Sequence, residues 1–249
     1  MKRILLSGCN GKMGQMITAC VRDRDDCTIV AGIDISGAVL DAYPVFTSID
    51  ECSVEADVII DFSHPSALEP LLNYAVKAHM PAVIATTGLS TAQIALIHEK
   101  SKEVPLFFTF NMSLGVNLLA QLAKKAASVL GNQFDIEIIE KHHNQKIDAP
   151  SGTALMLAEA VSSALETEPQ YIYDRHAIRK KRSKNEIGIH SVRGGTIVGE
   201  HEVLFAGRDE VITLSHSASS KEVFAVGSIN AALFLCDKEN GLYDMGNLV

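Results

Sequence analysis

Residues 3–34 restrict the fold of this chain more than any other stretch. Arg3–Ser7 reads as an apolar strand and Gly8-Cys9-Asn10-Gly11-Lys12-Met13-Gly14 as a glycine turn. A helical pattern then runs to about Arg22, and a second strand, Thr28–Ile33, ends on Asp34. This is a βαβ unit with glycines at 8, 11 and 14 and an acid twenty positions beyond the last of them. Glycines at this spacing let the backbone approach a pyrophosphate, whose charge is received by the N–H groups at the start of the helix. The acid accepts hydrogen bonds from the adenosine ribose hydroxyls. The glycine spacing alone is weak, but between two strands and followed by the acid it points to a dinucleotide.

The alternation continues as a doubly wound sheet requires. Val58–Ile60 is a strand ending in Asp61-Phe62-Ser63-His64-Pro65, with a helix from about Ser66 to Lys77. Ala82–Ala85 is another, ending in Thr86-Thr87-Gly88 before a helix from about Thr91 to Lys102, and Leu106–Phe110 a further one, ending in Asn111-Met112-Ser113. Ligands of an open parallel sheet lie beyond the carboxyl ends of its strands, so these three segments are expected to line one crevice holding a nicotinamide. His64, in a loop before proline, reads as structural.

The pattern changes after a long amphipathic helix, Gly115–Leu130, and the strand Asp135–Lys141. Following a helix from Ala154, Glu186–Val192, Thr196–Phe205 and Glu210–Ser217 are strands separated by Arg193-Gly194-Gly195 and Gly207-Arg208-Asp209. Short turns between such runs predict antiparallel hairpins. The fold expected is α/β: a Rossmann-type doubly wound parallel sheet over residues 1–112, and a smaller α+β domain with an open mixed sheet over 113–222. Residues 223–249, a helix and the tail GLYDMGNLV, are expected to pack back onto the first domain.

The stretch Glu140–Ala154, EKHHNQKIDAPSGTA, carries the chemistry. His142 and His143 stand within four residues of Lys146, and Pro150-Ser151-Gly152-Thr153 forms a turn opening a helix. The N–H groups of such a turn and the positive helix end favour a carboxylate or phosphate. An anion seat beside an imidazole that titrates near neutral pH suits reduction of a small acid. Zinc fits poorly: adjacent histidines on extended backbone project to opposite sides, and neither HExxH nor CxxC occurs. No metal is expected.

Charge and cysteine usage narrow the class. A net charge of −8 argues against general nucleic-acid binding. The one strongly basic run, Arg175–Lys184, reads as a solvated loop able to attract an anionic substrate. The five scattered cysteines suggest reduced thiols in a cytoplasmic setting, and no apolar run is long enough to cross a bilayer. Asp34 repels a 2′-phosphate and Ile35 offers no compensating charge, although Lys12 could reach a phosphate. NADH preference, or use of both NADH and NADPH, is therefore expected.

Taken together, GCNGKMG, ATTG, NMSLGVN (Asn111–Asn117), EKHHNQKIDAPSGTA and IGIHSVRGG (Ile187–Gly195) resemble the 4-hydroxy-tetrahydrodipicolinate reductase (dihydrodipicolinate reductase) family of lysine and diaminopimelate biosynthesis. The resemblance runs in order from residue 3 to the GLYDM tail. It implies that His142 is the proton donor and acceptor and Lys146 the second catalytic cation. It implies further that His143, Ser151, Gly152 and Thr153 contact a small dicarboxylate substrate, with hydride delivered to ring carbon 4 after loss of water. Gly8, Cys9, Asn10, Gly11, Lys12 and Met13 would hold the pyrophosphate and Asp34 the ribose. Ala85, Thr86, Thr87, Thr109, Phe110, Asn111 and Met112 would frame the nicotinamide. Ala85 departs from the glycine usual there, Lys12 stands where arginine is common, and Ile35 stands where NADPH-using members often have arginine. A homotetramer joined through the second-domain sheets is implied by the family alone. The rival functions are another NAD(P)-dependent small-acid reductase, such as an amino-acid or homoserine dehydrogenase, and a non-catalytic NADH sensor.

Overall fold

The computed structural model describes residues 1–248. In chain order its elements are β1 (Lys2–Ser7), α1 (Lys12–Arg22), β2 (Cys27–Ile33), β3 (Val45–Phe46), β4 (Val58–Asp61), α2 (Leu68–Ala78), β5 (Ala82–Ile84), α3 (Thr91–Lys100) and β6 (Pro105–Phe108). There follow α4 (Leu114–Leu130), β7 (Asp135–His142), α5 (Gly152–Ser162), β8 (Gln170–Ile172), β9 (Glu186–Arg193), β10 (Gly199–Ala206), β11 (Val211–Ala218), α6 (Glu222–Leu235) and β12 (Gly241–Tyr243). They form two compact units, Met1–Leu114 with Glu222–Val249, and Gly115–Lys221; Val249 itself lies outside the described residues.

The first unit is a seven-stranded sheet in the order β12-β6-β5-β4-β1-β2-β3, with every pair parallel. Its central strands read as unbroken apolar runs because helices cover both faces. Ile4, Leu5 and Leu6 are wholly buried, as are Val58, Ile59 and Ile60. Even residues of β1 face one cluster with Ile17 and Val21 of α1 and Ala225 and Ile229 of α6. Leu5 faces the other, with Leu68, Leu71 and Leu72 of α2. Each such aliphatic side chain contributes about 1.5–3 kcal/mol on burial. The strand order reverses between β1 and β4, and that switch point opens the crevice at their carboxyl ends.

In the second unit the sheet order is β11-β10-β7-β9-β8. β7 shows strict alternation, with Ile136, Ile138, Glu140 and His142 buried. A period of two therefore puts a carboxylate and an imidazole at the end of an otherwise apolar stripe. That stripe packs with Leu157, Ala158 and Val161 of α5 and with Ala123 and Ala127 of α4.

One expectation is overturned here. β9 and β10 are not a hairpin: β7 lies between them, pairing parallel with β9 and antiparallel with β10. Only β10 and β11 form the predicted antiparallel hairpin. A turn such as Arg193-Gly194-Gly195 can join neighbours or step across a strand already in place. Here β7 takes both partners' edges, with His142 opposite Arg193 and Lys141 opposite Glu200. The basic run also differs from a free loop, since Arg175, Lys180 and Arg182 are ion-paired to Glu137, Glu186 and Asp135. β6 stops at Phe108, because the Thr109 hydroxyl and Asn111 backbone hydrogen-bond each other locally and draw the chain out of the ladder.

Candidate active site

In the first unit the glycine turn owes its shape to contacts no side chain could share. Gly8 has φ +78°, and a Cβ there would stand 2.6 Å from the Phe62 carbonyl oxygen. A Cβ on Gly14 would stand 2.2 Å from the Gly8 carbonyl oxygen, so α1 packs directly on the turn. Gly11 caps α1 without a side chain, leaving the helix-end amides to an incoming anion. Lys12 is the exposed first residue of that helix, and Met13 is half-buried against the core. Cys9 is buried, and burial pushes its thiol up to about 11, so its backbone alone is offered to a ligand.

Asp34 leaves the end of β2 as an acceptor. Its Oδ2 accepts from the Asn10 N–H at 3.2 Å, and its Oδ1 from the Ser36 N–H and hydroxyl at 3.0 and 2.7 Å. Burial opposes its charge, but these hydrogen bonds prevail and hold the carboxyl below its ordinary range. Beside it Ile35 is 95% exposed. A cleft of about 550 Å³ runs past Ser7, Gly8, Gly11, Asp34, Thr47 and Phe62. Close-approach glycines, an uncapped helix end and an ionised acid in one cleft fit a dinucleotide.

The neighbouring strand ends are tied together by Asp61, which is wholly buried. Its carboxylate accepts from the Thr86 hydroxyl at 2.6 Å and the Ser63 N–H at 3.2 Å, while its carbonyl accepts from the Ala85 N–H at 2.9 Å. Ala85 and Thr86 are buried and Thr87 is exposed. Phe110 is exposed and edge-on to Phe108, and Asn111 Oδ1 accepts from the Ser113 N–H. Met112 is buried in the core, its carbonyl so close to α6 that a Cβ on Gly227 would be 1.7 Å from the oxygen. His64 Nδ1 accepts from the Ser66 N–H and caps the turn Pro65–Ala67, a structural role.

The second unit gathers the residues of the histidine stretch around Glu140. This carboxylate is wholly buried, yet burial is outweighed by its donors, and its pKa is held at about 2. Arg193 grips it with two nitrogens, each at 2.7 Å, and the Ser151 N–H donates at 3.1 Å. His142 Nδ1 lies 2.6 Å from Oε2. An ionised carboxylate only accepts, so Nδ1 is the donor and Nε2 is the nitrogen left to exchange a proton. Against that nitrogen stands Gly199, where a Cβ would come within 3.2 Å. Burial lowers the His142 pKa, Glu140 raises it in part, and Lys146 and Arg193 lower it again. The net direction is down, so the free imidazole is neutral near pH 7.

Around this pair the loop is clipped at several points. The Gly194 N–H donates to the His142 carbonyl at 2.9 Å, and the Asn144 N–H to the Gly195 carbonyl at 3.3 Å. Arg193 also donates to the Asp148 carbonyl at 2.6 Å. Lys146 Nζ lies 2.9 Å from Asp148 Oδ1, and His143 is half-buried. Ser151 caps α5 through the Ala154 N–H and also contacts His201 Nε2 at 3.1 Å. At the start of α5 Gly152 is exposed, with open space where a Cβ would go. His201 is edge-on to His142, and burial with the neighbouring imidazole lowers its pKa to about 4.

Dihydrodipicolinate reductase sequence patterns match the chain along nearly its whole length, the N-terminal part over residues 2–112 and the C-terminal part over residues 115–249. The chain belongs to the dihydrodipicolinate reductase family. It is 51% identical over 249 residues to the 4-hydroxy-tetrahydrodipicolinate reductase of Caldanaerobacter subterraneus subsp. tengcongensis, covering 100% of this chain and 98% of that one. With the Clostridium tetani protein of the same name it shares 50% identity, covering 98% and 96%. A dipicolinate-bound dihydrodipicolinate reductase from Paenisporosarcina sp. TG-14 superposes with a TM-score of 0.83 at 26% identity, over 100% of both chains. The C. glutamicum DAP dehydrogenase shares the fold alone, at 12% identity and a TM-score of 0.56 over 98% and 92% of the two chains.

Within their own units, the structure draws Gly8, Gly11 and Asp34 into one cleft, with Asn10 tied to Asp34 through its N–H, and sets His142, Lys146 and Ser151 between the end of β7 and the start of α5. Four participants were not singled out from sequence: Asp61, Glu140, Arg193 and His201. Glu140 had a readable signal, since it lies two positions before His142 on a strand and so shares its face. Arg193 and His201 come from strands 53 and 61 residues away in sequence from Glu140; Arg193 lies in the stretch IGIHSVRGG without any sign there of its partner, and His201 carries no local mark.

Proposed function

We propose that the chain reduces 4-hydroxy-tetrahydrodipicolinate, by way of dihydrodipicolinate, to tetrahydrodipicolinate with a reduced pyridine nucleotide, in lysine and diaminopimelate biosynthesis. One observation carries this: His142 is held on ionised Glu140 at the end of β7, directly before the loop that bears the Lys146 ammonium and leads to the start of α5. A ring bearing two carboxylates needs that set of partners. Peptide N–H groups at Gly152-Thr153 receive one carboxylate and Lys146 the other. Lys146 is held in the free protein by Asp148, whose side chain is 58% exposed. An exposed pair of this kind is worth at most about 1 kcal/mol, so a substrate carboxylate can displace it.

The coenzyme, when bound by Gly8–Met13 and Asp34, supplies the hydride. Arrival of that hydride leaves an electron pair on the conjugated ring, and Nε2 of protonated His142 delivers the proton that neutralises it. The imidazole then regains a proton from solvent. Free His142 has a lowered proton affinity, and a dianionic substrate raises it, so the acid is charged where it is used. Ala85–Thr87 and Thr109–Met112 belong to the nicotinamide end of the site in this scheme. Asp34 with an uncharged, exposed Ile35 supports NADH being used at least as well as NADPH.

The test is a coupled assay in which dihydrodipicolinate synthase generates the substrate and loss of reduced-nicotinamide absorbance is followed. Turnover is expected, with competitive inhibition by pyridine-2,6-dicarboxylate and no reaction with homoserine or aspartate; no substrate-dependent loss of absorbance refutes the assignment. Comparing kcat/KM for the two coenzymes checks Asp34, and a large NADPH advantage contradicts that part. A homotetramer and a cytoplasmic setting complete the proposal. Val192 and Val211 expose apolar surface on the face of the second sheet away from α4 and α5, which supports association there, and light scattering reads the mass.

A further inference from the structure

We propose that Glu140, seated by the Arg193 guanidinium and the Ser151 N–H, is a positioning residue that presents His142 with Nε2 as its proton-transferring atom. The inference rests on the reductase function proposed above but reaches a residue that does not touch the substrate. Five donors converge on the two oxygens of a carboxylate with no solvent exposure: two guanidinium nitrogens, one peptide N–H, the imidazole Nδ1 and the Ser191 side chain. A carboxylate so filled cannot rotate without leaving several donors unpaired, which burial makes unfavourable. The imidazole it holds is thereby fixed in ring orientation and in tautomer. Gly199 carries no Cβ that would crowd Nε2 at 3.2 Å.

Arg193 has a second effect, through charge. The charged or titratable groups facing His142 are Glu140 on its own strand, Lys146 in the following loop, Arg193 at the end of β9 and His201 on β10; His216 on β11 acts on His201. From the start of α5 comes only the uncharged Ser151. Glu140 raises the proton affinity of His142 and Arg193 lowers it. A residue that only supports the fold would not predict opposite shifts from the two partners. Removing the carboxylate charge must move the imidazole pKa down, and removing the guanidinium must move it up.

The decisive measurement uses the full-length unaltered protein labelled with 15N-histidine, with the His142 signals identified by their absence in His142→Gln. Long-range 1H–15N correlation is expected to find the neutral ring protonated at Nδ1; protonation at Nε2 overturns the proposal. A pH titration of the same signals is then repeated in Glu140→Gln and Arg193→Gln, with circular dichroism to check folding. The expected shifts are about one unit downward and about one unit upward respectively. Shifts of the same sign, or none, overturn the charge effect. In the coupled assay Glu140→Gln should lose at least about tenfold in kcat with an unchanged coenzyme Kd, and Glu140→Asp should recover part of it. Full activity in Glu140→Gln also overturns the proposal. Should Glu140→Gln fail to fold, the tautomer of the parent and the titration of Glu140→Asp, expected near the parent value, still decide. Because tautomer and pKa are read without turnover, failure of the reductase function would be seen separately, as an unaltered protein that consumes no coenzyme.

Discussion

Replacing His142 with glutamine separates chemistry from architecture at this site. The glutamine amide reaches to where Nε2 stands rather than Nδ1, and the buried carboxylate keeps the two Arg193 nitrogens and the Ser151 N–H, which hold the fold together. What disappears is Nε2, a nitrogen that binds and releases a proton near neutral pH. General acid catalysis of this kind contributes about 10² to 10⁴ in rate, or about 2.7–5.4 kcal/mol of barrier. His142→Gln is therefore expected to lower kcat by that factor, with coenzyme Kd and melting temperature close to the parent's. The pH profiles supply the sign. In the parent, kcat/KM falls as pH rises through the lowered pKa of the free imidazole, and kcat falls only at higher pH, because bound dianion raises that pKa. The variant should lose both limbs. Stopped-flow and steady-state absorbance assays across the pH range read all of these quantities. Turnover within about a factor of ten of the parent, or a profile that keeps its limb, would refute the role given to Nε2.

Other expectations follow from particular contacts. Gly14→Ala drives a methyl group into the Gly8 and Cys9 carbonyl oxygens, 2.2 and 2.4 Å from the new carbon, where only backbone can yield. Overpacking there should cost about 1–3 kcal/mol, lower the melting temperature and weaken coenzyme binding; an unchanged Kd by fluorescence titration would count against the turn as the pyrophosphate seat. His201 titrates at about 4 in the folded chain against 6.5 when unfolded, so its contribution is complete above pH 6.5 and is lost as pH falls through 4. The amount is on the order of 3 kcal/mol, and His201→Gln should flatten the melting temperature between pH 6.5 and 4. A parent melting temperature constant over that window contradicts it. Ile35→Arg places a guanidinium beside Asp34, where a 2′-phosphate would lie, and should raise kcat/KM with NADPH relative to NADH by about tenfold. An unmoved ratio would show that coenzyme choice lies elsewhere.

The first sheet could be read in the sequence because its signals are local. Each βα step is written in one run of residues, an apolar strand, a punctuating glycine or Asp-Phe-Ser, then a helical period, and parallel order follows from the crossovers. The turn at Gly8–Gly14 and the acid at Asp34 were legible for the same reason, as was the cluster His142, Lys146 and Ser151. The second sheet was legible only as strands. Which strand lies beside which is a question about partners 51 to 71 residues apart, and Arg193-Gly194-Gly195 looks the same whether it closes a hairpin or steps over β7.

By itself, then, the sequence determined a dinucleotide-type βαβ start, a second part of different architecture, and a run of two imidazoles and an ammonium directly before a helix start. Tertiary structure alone decided that a buried glutamate faces His142, that an arginine from β9 neutralises it, and that Nε2 is the free nitrogen. The physical reason is that proton affinity and tautomer belong to surroundings rather than to a residue. Those surroundings are assembled from β7, β9, β10 and the start of α5, which meet only when the chain has folded.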